Sequence, residues 1–201
     1  MSIEFLLTAF IVCVAPGIGV VYTLSATLGG GFRAGVLAAV GCTLATAVHL
    51  GVAVAGLAAV LHTSAVLFQA LKYAGVAYLL WMAWGVLRGS GGLSLEAAEP
   101  AGAGRLIRRG VLLNLLNPKL PMFFVAFLPQ FLPVGDAALA PMVALGFAFS
   151  AMTFGVFVLY AGLAASGRRA VLGSPVVITW LRRAFAASFA ALGLRLALER
   201  A

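Results

Sequence analysis

The chain has 201 residues, 64% of them apolar and only 9% charged. An ordinary soluble domain carries roughly 25% charged residues. A fold of this size cannot hide so much apolar surface from water, so a soluble globule, a disordered chain and a disulfide scaffold are excluded. Lys plus Arg is 13 against 5 acids, a formal +8, but the basic residues sit in short connectors between apolar runs. That is a topology signal rather than a nucleic-acid footprint, and no nucleic-acid partner is expected.

Crossing the hydrocarbon of a bilayer takes about 20 apolar residues. The first run covers residues 5–28 and stops at Gly29-Gly30-Gly31-Phe32-Arg33, because three glycines are poor helix formers. The second covers 35–61 and the third 68–87. Residues 89–109 are hydrophilic, with Glu96, Glu99, Pro100 and three arginines, and read as a cytoplasmic loop. The fourth run is 110–132, closed by the turn Pro133-Val134-Gly135-Asp136. The fifth is 138–165. Of the remainder, 175–183 reads as a surface segment and 184–198 as a short sixth span, with Arg195 snorkelling to the interface. A five-span protein is the alternative.

With six spans, one side holds nine basic residues: Arg33, Arg88, Arg105, Arg108, Arg109, Arg168, Arg169, Arg182 and Arg183. The other side holds Lys72, Arg195 and Arg200. The richer side is expected in the cytoplasm, with both termini external. Glu4 and the lack of a positive leader make a cleaved secretory signal unexpected. Cys13 and Cys42 lie inside apolar runs without CxxC spacing and read as buried free thiols.

The expected fold is an all-α integral membrane protein, one transmembrane domain over 1–201. Its six transmembrane helices form two inverted three-helix repeats, 1–88 and 110–201. Three spans per half is odd, so two similar halves must be inverted. The first helix of each half carries a matching break: Ala15-Pro16-Gly17 in the first and Asn117-Pro118-Lys119 in the fourth. At about 1.5 Å per residue, both prolines lie some 12–17 Å deep, near the midplane. Proline removes a backbone donor, and in hydrocarbon the freed groups must find partners or line a wet cavity. Paired midplane breaks in two inverted halves point to a transporter binding site. Lys119 strengthens that reading, since a lysine mid-span costs at least about 2.5–3.5 kcal/mol and should face a cavity or a partner.

Pro16-Gly17-Ile18-Gly19, Tyr22-Thr23-Leu24-Ser25 and Gly31-Phe32-Arg33-Ala34-Gly35 resemble the lysine-exporter (LysE) superfamily, RhtB branch. So do Lys72-Tyr73-Ala74-Gly75 and, most specifically, Asn114-Leu115-Leu116-Asn117-Pro118-Lys119 running on to Phe127-Leu128-Pro129-Gln130-Phe131. The resemblance covers essentially the whole chain. It implies a bacterial inner-membrane exporter of amino acids or related metabolites, of the homoserine, threonine, leucine and lysine class, driven by proton antiport. One departure is clear: the family usually reads Pro-Gly-Pro where this chain has Pro16-Gly17-Ile18, which should loosen the first break.

The substrate-binding or gating residues expected are Pro16, Gly17, Gly19, Tyr22, Asn114, Asn117, Pro118 and Lys119. A substrate carboxylate would be held by backbone N–H groups near Gly17 to Gly19, where a helix N-terminus favours anions. Lys119 would add a positive contact or compete with the substrate ammonium as a gate. Asn114 and Asn117 would satisfy carbonyls released by Pro118. No Asp or Glu lies deep in a span, so His49 is the candidate proton carrier, with a hydrogen bond to a neighbouring helix as the plainer reading. Thr43, Thr46, Ser150, Thr153 and Tyr160 are expected in hydrogen bonds between helices, and the small residues Gly41, Ala47, Gly51, Gly56, Gly146, Ser150 and Gly155 at close helix contacts.

No catalytic motif, metal site or cofactor is expected. The main rival function is a metal or other ion exporter of the same superfamily. The expected partners are a small amino-acid substrate, protons and the lipid bilayer. The exported amino acid and pairing into a homodimer stay open.

Overall fold

The computed structural model describes residues 1–15, 17–60, 97–117, 119–132 and 139–166, and scattered positions within 73–88 and 174–197. The third and sixth expected spans, with Lys72 and Arg195, fall largely outside the described residues. Among the described residues every regular element is helical.

Helix α1 is Ile3–Val14, capped by Ser2, whose Oγ accepts the Phe5 N–H at 3.2 Å. Its last regular turn closes with Ala15 N–H on Ile11 O at 3.0 Å. The next residue is a proline and has no N–H to continue the ladder. Helix α2 is Ile18–Val60, interrupted at Gly31, whose φ of 77° suits a residue without a Cβ. In a straight helix Gly19 and Cys42 would stand about 34 Å apart. Instead the Cys42 Sγ lies 4.0 Å from the Gly19 carbonyl oxygen. The helix therefore doubles back at Gly31 into two arms, 18–30 and 32–60, and the triple-glycine connector is the turn between them.

Helix α3 is Ala103–Leu115. It starts inside the segment expected to be loop, because Leu106, Gly110 and Asn114, four residues apart, form one buried face while Arg105, Arg108 and Arg109 stay exposed. The fourth apolar run is not one helix either. After α3 comes a break, then α4 at Lys119–Met122, a π-helical turn at Phe123–Phe127 and a 3-10 turn at Leu128–Phe131. Helix α5 is Leu139–Ala165. Among the described helices, Ile18–Gly56 and Leu139–Ala165 are long and apolar enough to cross a membrane, and α1 is a shorter apolar helix. Through the turn at Gly31, α2 takes in both the end of the first apolar run and the second.

The second arm of α2 packs tightly on α3. A Cβ on Gly41 would strike the Ile107 backbone, and one on Gly110 would lie 2.8 Å from Ala38 O. Gly146 on α5 receives the Leu50 side chain. Among the described residues, Gly51, Gly56 and Gly155 have nothing within 4 Å. Phe123, Phe124 and Phe149 form an aromatic block under the break, with Phe123 and Phe149 stacked at 4.0 Å.

The hydroxyls also depart from expectation. Thr43, Thr46, Ser150 and Thr153 each donate to the carbonyl four residues back in their own helix. In apolar surroundings that carbonyl is the nearest acceptor. Tyr160 crosses to another helix, and so does Thr153 through a second contact described below.

Candidate functional site

Pro16 and Pro118 lie outside the described residues, but their neighbours are placed, and a proline nitrogen carries no hydrogen in any setting. Each proline deprives the carbonyl four residues back of its helical donor. For Pro16 that carbonyl is Val12; for Pro118 it is Asn114.

Lys119 meets the first of these. Its Nζ donates to Val12 O at 3.0 Å and to Ala15 O at 3.0 Å. Tyr160 donates its hydroxyl to Val14 O at 2.8 Å. The C-terminal end of α1 thus receives its donors from the far half of the chain. A cation also suits the partial negative charge of a helix C-terminus. Lys119 is only 6% exposed.

The second released carbonyl is met differently. Asn114 O accepts the Asn117 backbone N–H at 3.2 Å and lies 3.2 Å from His49 Nε2. A carbonyl can only accept, so Nε2 carries the hydrogen in this contact. The sequence led to the expectation that Asn114 and Asn117 would satisfy the released carbonyls, but their side-chain amides bond elsewhere. Asn114 Nδ2 crosses to α2 and donates to Cys42 O at 2.8 Å. Asn117 Nδ2 donates to Asn114 Oδ1 at 3.0 Å, and Asn117 Oδ1 accepts the Lys119 N–H at 3.1 Å. Asn117 is therefore the cap of α4, and a chain of bonds ties α2, α3 and α4 together.

The glycines admit this traffic. A Cβ on Gly17 would lie 3.4 Å from Lys119 Nζ and 3.5 Å from Asn117 Nδ2. One on Gly19 would lie 2.9 Å from the Phe157 ring and 3.0 Å from Asn114 Oδ1. Between them is a small cavity of about 10 Å³, lined by Val12, Cys13, Gly19, Asn114, Asn117, Lys119, Phe149, Thr153 and Phe157. A single water needs about 10–15 Å³. The site is closed to anything the size of an amino acid.

Gly17, Gly19, Asn114, Asn117 and Lys119 come together here, with His49 at the edge. Tyr22 does not join them. Its hydroxyl donates to Leu106 O at 2.8 Å, and Arg109 sits 5.8 Å above its ring. Sequence reasoning missed the carbonyls of Val12 and Ala15, the Cys13 Sγ to Thr153 Oγ1 contact at 3.3 Å, and the Phe149 and Phe157 walls. Counting four residues back from Pro16 would have found Val12. Among the described residues, no three of His, Cys, Asp and Glu gather as a metal site would need.

The sequence also has relatives. It is 31% identical over 197 residues to the homoserine/homoserine lactone efflux protein of Salmonella typhimurium, covering 98% of this chain and 95% of that protein. It is 35% identical over 134 residues to the leucine efflux protein of an Enterobacter species, covering 65% of this chain and 63% of that one. An uncharacterized membrane protein of Vibrio cholerae is 31% identical over 200 residues, covering 99% and 97%. No solved structure matches. The profile of the LysE type translocators matches residues 10–200, a stretch that contains both proline breaks and all the side chains around the cavity, and the chain belongs to that family of membrane translocators.

Proposed function

We propose that this protein exports α-amino acids or close derivatives across the bacterial inner membrane, by alternating access around the breaks at Pro16 and Pro118 and in exchange for protons. The observation that carries the reading is Lys119 on the carbonyls of Val12 and Ala15, immediately before the N-terminus of α2. A broken helix presents a partial negative end and a partial positive end a few residues apart. A zwitterion of an α-amino acid has the matching pair of charges. The carboxylate would meet the N–H groups at Gly17 to Gly19. The molecules in the relatives' names, homoserine, its lactone and leucine, share a primary ammonium, and the lactone has no free carboxylate. The ammonium is thus the feature common to all three.

Proton exchange falls to His49. Its Nε2 hydrogen is engaged with Asn114 O, so the proton would come and go at Nδ1. The matching breaks in the first helix of each half support the two inverted three-helix repeats, and the basic asymmetry supports external termini. Cysteines placed at Gly91 and Asp136 should then be labelled from opposite sides by an impermeant thiol reagent. Labelling of both from outside in intact cells would sink that topology.

The decisive experiment is efflux from loaded proteoliposomes across a panel of amino acids, with and without a proton gradient. Gradient-dependent efflux is expected for the wild-type protein. Lys119→Met should reach the membrane in normal amount while net efflux collapses. Metal efflux without amino-acid efflux would favour an ion exporter.

A further inference from the structure

We infer that the carbonyls of Val12 and Ala15 are the subsite for the substrate ammonium, and that Lys119 closes this subsite in the empty protein as a tethered stand-in for the substrate. The inference rests on the export reading above and narrows it to two acceptors and one competitor.

Two acceptors converge on one nitrogen, each at 3.0 Å. That is how a primary ammonium is held by a pair of carbonyls. Val12 O has no helical donor because residue 16 is a proline. A carbonyl in a dry interior needs a donor in every state the protein visits. Tyr160 does not supply it, since its hydroxyl is committed to Val14 O. In the closed state the donor is Lys119. The cavity beside Lys119 holds about 10 Å³, so a substrate cannot be seated next to the lysine and must take its place.

This exchange has a consequence for the cycle. A loaded carrier has its carbonyls satisfied by substrate, and an empty carrier has them satisfied by Lys119. Both can close. Without Lys119 the loaded carrier still closes, but the empty one does not, and net export stops while substrate-for-substrate exchange continues.

The test uses the full-length protein in proteoliposomes with radiolabelled leucine and homoserine. In Lys119→Met, net efflux should be lost and counterflow retained. Equilibrium binding should tighten about tenfold if Lys119 holds the subsite about nine-tenths of the time. Loss of counterflow together with efflux, or weaker binding, would overturn the inference, because Lys119 would then contact the substrate directly. A second measurement needs no variant. On the wild-type protein, leucine methyl ester should compete with leucine, whereas N,N,N-trimethyl-leucine and 2-hydroxy-4-methylpentanoate should not. The trimethyl compound keeps the charge but has no N–H to give the carbonyls. Competition by it equal to that of leucine would refute the carbonyl subsite. A wild-type protein that moves no amino acid at all would instead defeat the export reading itself.

Discussion

The two helix breaks solve one chemical problem in opposite ways. At the first, after α1, the freed carbonyls of Val12 and Val14 are reached by Lys119 and Tyr160 from distant parts of the chain. At the second, after α3, the freed carbonyl of Asn114 is reached by Asn117 on the same strand of chain and by His49 from α2, and the Asn pair locks α3 to α2 and α4. A repair made by a flexible, distant side chain can be exchanged for a ligand. A repair made by short local amides cannot be undone without disturbing the helices they hold. On the proposed mechanism the first break opens and the second stays.

Filling the first break should have the largest effect. Gly17→Leu places a branched side chain against Lys119 Nζ and Asn117 Nδ2, which already lie 3.4 and 3.5 Å from the Cβ position. Efflux should be abolished while the protein still reaches the membrane, as read by transport at matched expression. Near-normal efflux would mean that the opening at Gly17 has no role.

Next comes the frame. Asn114 is 1% exposed and serves both as donor to Cys42 O and as acceptor for Asn117. Asn114→Leu should cost about 1–3 kcal/mol of stability, since it leaves buried partners unbonded. A thermal-unfolding assay on the purified protein in detergent would read it. Lys119→Met also leaves the carbonyls of Val12 and Ala15 unbonded, but it removes a buried cation at the same time, so its net loss by the same assay should be smaller. Equal destabilisation by both would erase the distinction between the two breaks.

Tyr160→Phe should be the mildest change. It removes one hydrogen bond to Val14 O, and bonds of this kind between membrane helices average about 0.6 kcal/mol. Efflux should stay close to wild type. A large loss would place Tyr160 in the opening movement alongside Lys119.

The apolar content, the first, second and fifth runs, the glycine turn before Gly35 and the positions of both breaks were legible in the residues. Composition sets the solvent, and proline and glycine act on the backbone wherever they stand. The start of α3 at Ala103 was not legible, because its buried face is spread over Leu106, Gly110 and Asn114 and masked by three arginines. Gly41 and Gly110 show what the residue type alone cannot: small size says nothing about which face of a helix meets a neighbour, and only the packing of α3 on α2 set these two against a backbone.

Pro16 by itself determined that Val12 O would need a donor, and Lys119 by itself determined that a buried cation would need an acceptor. Neither residue named the other. They are 107 positions apart from acceptor to donor, and only the return of α4 beside the end of α1 brought them to 3.0 Å. The same holds for Tyr22, which sits one turn beyond Gly19 along the chain yet faces Leu106 and Arg109, away from the cavity. A backbone demand is local and can be counted from the chain. The side chain that answers it depends on which helices pack together.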